Sequence, residues 1–324
     1  MKNGKFSIGR FMRKNVILLL LIAMIIVFSI AQPKFFTATN LMNIYNQNAS
    51  LMLSACGLAM VMISGGIDLS IGYMASLCGI VAAMLMKNMN VNFIVSIIAA
   101  ILVGTLCGAL NGILSNKLKI HTMIVTLATM TLFQGLSYII SQSKSFSSLP
   151  AAFKFIGQGY LGNLPVSIFA LIAIVAVVSF ILNKTHYGRY VYAIGGNPDA
   201  AHLAGINVER VRLRTFALNG ALVGLAAVLL ISRSGSASSA MGTSLQFDSI
   251  TACILGGVSF TGGSGKVSNA VLGVLCLGVL SNGMQLIGWG IYVQYVVKAI
   301  LLVIAIAFDM YTKNKVLADD AANG

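Results

Sequence analysis

The stretch ISGGIDLSIG, residues 63–72, separates two apolar runs with a glycine pair and an aspartate. Residues 46–64 before it and 69–86 after it carry no charged side chain. Each run is close to the roughly 20 residues that cross about 30 Å of hydrocarbon. Asp68 is one of only seven acidic residues among 324, so its place between two such runs needs a physical reason. Glycines end helices readily, and aspartate and serine start them, because their side-chain oxygens accept the free amides of a first turn. The stretch therefore reads as a helix break, with Gly65 and Gly66 ending one span and Asp68, helped by Ser70, capping the next. An ionisable group inside a membrane segment is also by default a candidate functional site, so contact between Asp68 and a transported solute stays open beside the capping role.

Further apolar runs lie at 16–31, 92–114, 121–140, 165–183, 215–232, 248–260, 267–287 and 291–310, making ten candidate spans. The run at 248–260 is short enough to be a half-span or buried segment. The chain is 58% hydrophobic and 9% charged, with a mean hydropathy of +0.91, far from the roughly 25% charge of soluble domains. These features predict an all-α polytopic membrane protein of about ten transmembrane helices. The first 31 residues imitate a secretory signal, with basic Lys2, Lys5, Arg10, Arg13 and Lys14, an apolar run from Val16 to Ile30 and Ser29-Ile30-Ala31 as a cleavage site, but the many spans that follow favour an uncleaved first helix. The net charge of +14 comes from basic residues between the apolar runs, so it reads as a topology signal and not as a surface for nucleic acid. Cys56, Cys78, Cys107, Cys253 and Cys276 all fall within apolar runs and read as packing residues.

Lys and Arg prefer the cytoplasmic side of short loops. Five precede the first span, Lys117 and Lys119 follow the fourth, and Lys184, Arg189, Arg210, Arg212 and Arg214 follow the sixth. Lys313 and Lys315 follow the tenth. Every cluster comes after an even number of crossings, which predicts both termini inside. Residues 1–15, the loop 184–214 and a tail 311–324, polar enough to be disordered, then belong to the cytoplasm, around one transmembrane domain spanning 1–324. The Ser- and Gly-rich segment 141–164 is the longest external connection and a docking site for something outside.

Two internal duplications compete. Asn48 and Asn111-Gly112 match Asn219 and Asn282-Gly283 at an offset of 171, which implies inverted repeats with a site near the midplane. Gly65-Gly66 matches Gly256-Gly257 at an offset of 191, which implies parallel repeats.

The loop NKTHYGRYVYAIGGNPDAAHLAGINVERVRLRTF, residues 183–216, contains a short helix in its pattern. Asn197 is a good N-cap, Pro198 a good first helical residue, Asp199 suits the first turn and Gly205 the stop. Two turns are too few for independent stability, so the helix lies on the membrane or docks into a partner.

The segment DAAHLAG, Asp199 to Gly205, resembles the acidic-Ala-Ala-x-x-x-Gly signature of permease subunits in ATP-binding-cassette importers. GRYVYAIGGNPDAAHLAGI, SGGIDLSIG and LGGVSFTGGSGKV resemble the ribose-type branch of that family, in matching order from about residue 35 to 310. Asp199 stands where glutamate is commoner, with the charge kept. The resemblance implies a coupling helix of Asn197, Pro198, Asp199, Ala200, Ala201 and Gly205 seated on an ATPase. It also implies a homodimer with a second copy of this chain, a cytoplasmic ATPase subunit with two nucleotide-binding domains, and an extracytoplasmic sugar-binding protein. The localisation implied is the bacterial cytoplasmic membrane, and the cargo a small sugar.

ATP chemistry within this chain is not expected. GGSGKVS, Gly262 to Ser268, imitates a phosphate-binding loop, but G-x-x-x-x-G-K-[ST] needs glycine where Phe260 stands and a hydroxyl where Val267 stands. ATP and Mg are thus expected on the partner, with no cofactor or metal here. His121, His186 and His202 lack the spacing of a metal or nucleophile site. Asn46, Gln47, Asn48, Asn111, Asn219, Asn282 and Gln285 are candidates to line a translocation pathway, or to bond helix to helix. The alternative function, an ion-coupled secondary transporter, has only Asp68, Asp248 and Lys298 as intramembrane ionisable groups.

Overall fold

Side chains cap the N-termini of six helices in the computed structural model, which describes the backbone of residues 16–323 and the side-chain surroundings of residues 17–311. The basic segment 1–15 and the side chains of Lys313, Lys315, Asp319 and Asp320 lie outside the described residues. After α1 (Val16–Ala31), Thr37 Oγ1 accepts the Asn40 amide and starts α2 (Ala38–Ile63) eight residues before the apolar run. α3 (Ile71–Asn88) follows the break. Asn92 caps α4 (Phe93–Leu118), and His121 caps α5 (Thr122–Ser141). The connection after α5 folds into α6 (Ala151–Gln158) and a hairpin of β1 (Tyr160–Leu161) and β2 (Leu164–Pro165).

α7 (Val166–Lys184) leads into the polar loop, which holds two helices where its sequence predicts one. α8 (His186–Gly196) escapes prediction because it contains three glycines, yet Thr185 Oγ1 accepts the Gly188 amide and starts it. α9 (Pro198–Leu203) is the expected short helix. Asn207 then caps α10 (Val208–Ser234), so Arg210, Arg212 and Arg214 ride on the first turns of this helix and not in a loop. α11 (Thr243–Leu255), α12 (Val267–Leu286) and α13 (Ile291–Asn323) complete the chain. α13 continues to Asn323, where polarity predicts a disordered tail.

Among the described residues, seven helices are long and apolar enough to cross a membrane: α3, α4, α5, α7, α10, α12 and α13. α1 has only 16 residues, and α2 begins with Asn40, Asn43, Asn46, Gln47 and Asn48 but is buried without exception from Ala49 to Ile63. α11, at 13 residues, starts and stops five residues before the 248–260 run. The chain is all-α and polytopic.

α10 is the centre of the bundle and packs against α4 more extensively than any other pair. Glycines make this approach possible, as at many membrane helix interfaces. A Cβ on Gly104 would strike the Gly220 carbonyl, and one on Gly108 the Phe216 carbonyl. α2 runs antiparallel to α10: Arg233 Nη1 donates to Gln47 O at one end, Gly57 faces Asn219 midway, and Gly66 meets the Phe216 ring at the other.

Shifted by 171 positions, Ala38–Ile63 falls on Glu209–Ser234, within one residue of α10, and Ile71–Asn88 starts one residue before α11. α4 and α5 likewise fall on α12 and α13. The packing follows the same rule: α2 on α12 matches α10 on α4, and α3 on α4 matches α11 on α12. The rival offset has a local cause. Gly65 (φ +80°) and Gly257 (φ +74°) each end a helix in the left-handed conformation, with the next amide reaching back to Val61 O or Cys253 O. Those glycines share a way of stopping a helix; at the offset of 191, α2, α3 and α4 fall in order on α11, α12 and α13, but their starts miss by 14, five and seven residues.

Candidate functional site

Between α2 and α3 the backbone leaves helical geometry for seven residues deep in protein, which membranes tolerate only when its polar groups find partners. The amides of Gly65 and Gly66 bond back to Met62 O and Val61 O. Ile67 N donates to Thr122 Oγ1 at 3.0 Å and Leu69 N to Thr126 Oγ1 at 3.1 Å, both on α5. Ser70 N donates to Asp68 Oδ1 at 2.9 Å, and the Ser70 hydroxyl to the same oxygen at 2.6 Å. The N-cap position of α3 is Ser70, two residues beyond Asp68, whose carboxylate is also held by other helices.

Those helices are α4 and α10. Asn219 Nδ2 donates to Asp68 Oδ2 at 2.9 Å. Asn111 Nδ2 reaches Ser70 Oγ at 2.9 Å and both carboxylate oxygens at 3.4 Å. Asp68, Ser70, Asn111 and Asn219 are all fully buried. Among the described residues, the amide oxygens of Asn111 and Asn219 have no hydrogen-bond partner. That of Asn219 points at Gly57, where a Cβ would lie 2.5 Å away. This polar knot ties the break to α4 and α10 at once.

A second irregular segment, 235–242, separates α10 from α11 and is held by the other end of α5. Ser141 Oγ lies 2.7 Å from Ser239 Oγ, and Ser137 Oγ donates to Ser239 O at 3.2 Å. Gly242 N donates to Ser76 Oγ on α3 at 3.0 Å. At the C-terminal end of α10, α6 packs on α10 and α7, with Gly157 N donating to Ser232 Oγ at 2.7 Å and Phe153 fully buried.

In the polar loop, Asn197 Oδ1 accepts the amides of Asp199 and Ala200, each at 3.0 Å. Gly205, at φ +82°, ends α9 with Gly205 N on His202 O and Ile206 N on Ala201 O. Ala201 faces inward, whereas Leu203 is 88% exposed. α8 lies beneath α9: Tyr192 donates to Gly265 O at 2.8 Å, and burial pushes its phenol upward, so it stays a donor. The amides of the phosphate-loop imitation are engaged in protein, Gly262 N on Ser259 O and Gly263 N on Ile63 O.

The family described as branched-chain amino acid transport system / permease component matches residues 40–306. The chain belongs to this permease family. Ribose import permease protein RbsC of Haemophilus influenzae is 36% identical over 98% of this chain and 100% of its own length. RbsC of Bacillus subtilis is 38% identical over 89% of this chain and 90% of its own, and L-arabinose transport system permease protein AraH of Escherichia coli 36% over 95% and 94%. No solved structure matches the chain.

The permease does not bring its seven amide candidates to one place. Asn111 and Asn219 meet at Asp68. Asn46 accepts from Ser167 and donates to the Tyr160 hydroxyl at a small pocket beside Arg233, and the Gln47 backbone carbonyl accepts from that arginine. Asn48 donates to Ile44 O against Gly278. Asn282 exchanges two hydrogen bonds with Asn40, and Gln285 is exposed. Asp248 pairs with Lys298 at 3.0 Å, joining α11 to α13. Sequence reading missed Thr122 and Thr126, although hydroxyls four apart on an apolar helix put two donors and acceptors on one face.

Proposed function

We propose that this permease moves a small sugar, a ribose-like monosaccharide or related compound, across the cytoplasmic membrane by alternating access. A separate ATPase subunit with two nucleotide-binding domains supplies ATP and Mg chemistry, and an extracytoplasmic binding protein delivers the sugar. The full-length likeness to ribose and arabinose permeases supports the cargo class.

The observation that carries the coupling role is α9. The helix is fixed at both ends by Asn197 and Gly205, yet it presents Leu203 to solvent at 88% exposure. A large apolar side chain on a rigid polar loop is suited to a groove in a partner protein. The basic clusters support this loop lying in the cytoplasm with both termini, and the α6 segment facing the binding protein outside. The antiparallel run of α2 and α10 supports an inverted repeat, α2–α5 against α10–α13. α13, whose apolar window has no buried residue in the single chain, offers a face for a second copy.

Co-expression with the ATPase and binding protein, followed by uptake of radiolabelled D-ribose, L-arabinose, D-xylose and D-galactose, tests the reading. Leu203→Asp should reach the membrane at normal levels, lose ATPase co-purification at least tenfold, and lose uptake with it. Uptake that survives ATP depletion but collapses with the proton or sodium gradient would instead support an ion-coupled carrier.

A further inference from the structure

Three glycine pairs, far apart in the chain, meet at one point. Gly65 and Gly66 follow α2, Gly195 and Gly196 end α8, and Gly262 and Gly263 lie between α11 and α12. A Cβ on Gly195 would strike the Ile63 carbonyl oxygen and stand 2.7 Å from Gly263 N. One on Gly262 would stand 2.7 Å from Gly65 Cα and 2.8 Å from Gly195 O, and one on Gly263 2.9 Å from Gly196 Cα. Gly65, Gly262 and Gly263 have φ of +80°, +94° and +78°, a region that L side chains avoid. Two hydrogen bonds fasten the junction: Gly263 N to Ile63 O at 2.9 Å, and the Tyr192 hydroxyl to Gly265 O at 2.8 Å.

What each segment leads to gives the junction its meaning. Gly196 is followed directly by Asn197, the cap of α9. Gly65 and Gly66 open the break that Asp68 holds. Gly262 and Gly263 connect α11 to α12. α9 itself packs chiefly on α8, with a smaller contact to α10, so a force applied to α9 enters the bundle through α8. At the junction, backbone meets backbone with no side chain between to change rotamer, and such close-packed contacts transmit displacement.

We infer that this glycine junction is the joint that carries movement of α9 to both halves of the transmembrane core, to α2–α3 through Gly65 and to α11–α12 through Gly262 and Gly263. The inference rests on the reading of α9 as the ATPase-docking helix. Gly195 and Tyr192 are positioning residues for transport, acting through backbone that they hold and not through the sugar.

The test uses the full complex of permease, ATPase and binding protein in proteoliposomes, with the radiolabelled pentose that the wild type transports. Gly195→Ala should co-purify with the ATPase and hydrolyse ATP within twofold of wild type, while sugar moved per ATP falls at least tenfold. Gly196→Ala is the control: a Cβ there meets nothing within 4 Å, and the ratio should stay within twofold. An unchanged ratio in Gly195→Ala overturns the joint. If that variant fails to reach the membrane, Tyr192→Phe decides, because it deletes one hydrogen bond without adding bulk. A threefold fall in the ratio is expected there, and no change overturns the proposal. Failure of the wild type itself to bind the ATPase or consume ATP during uptake would remove the permease reading, an outcome distinct from a normal wild type with an unaffected Gly195→Ala.

Discussion

Asp68 gathers four donors in a space from which water is excluded, so its energetic weight lies in what its removal would strand. Asp68→Ala leaves Ser70 N and Asn219 Nδ2 buried without partners, at about 1–3 kcal/mol each, which predicts a loss of roughly 3 kcal/mol. Asp68→Asn keeps one acceptor oxygen for Ser70 but turns an amide donor toward the Asn219 donor, an expected cost of about 1–3 kcal/mol. The double variant Asp68→Asn with Asn219→Asp reverses that bond and should recover at least half of the loss. Thermal unfolding of the purified protein in detergent measures all three; a double variant no better than Asp68→Asn would mean that the Asp68–Asn219 bond is not the pairing that matters. The sequence makes the break legible, because glycine and aspartate are conspicuous in an apolar chain. It does not make Asn219 legible as the partner, since that pairing joins residues 151 positions apart and depends on Gly57 leaving room for the amide.

At the scale of elements, the helices of this bundle are distinguished by how closely they approach. α4 and α10 touch through glycine, so Gly108→Ala should force them apart. The substitution gains about 1 kcal/mol of helix propensity but incurs an overpacking cost of about 1–3 kcal/mol, with the Phe216 carbonyl in the way. Gly135→Ala on α5 meets nothing within 4 Å and should be neutral or stabilising by up to about 1 kcal/mol. Comparing the two midpoints in the same detergent isolates contact from propensity, and equal shifts would remove the close-approach argument. The lengths of apolar runs located nearly every long helix, because hydrocarbon imposes a length on each. They missed α8, whose glycines serve contacts with distant backbone, and they misplaced α11, whose ends are set by Gly242 against α3 and by the left-handed Gly257.

For the whole molecule, the decisive question is whether the chain crosses the membrane between α10 and α12, because the inverted relation of its halves depends on it. α11 spans only about 20 Å at 1.5 Å per residue, short of the roughly 30 Å of hydrocarbon. Residues 235–242 ahead of it are largely turns, so they add less than the roughly 26 Å of an extended stretch. The contact of Gly262 and Gly263 with Gly65 and Gly195 places the 256–266 turn beside α8, on the same side as α9. The five native cysteines are buried, so introduced cysteines can report location without first removing them. In intact cells, a membrane-impermeant thiol reagent should label Ser147→Cys and Ser234→Cys. His202→Cys and Ser264→Cys should react only after permeabilisation. Labelling of Ser264→Cys from outside would mean that α11 returns to the face it left, and the antiparallel halves would then be a packing likeness without opposite orientation in the membrane.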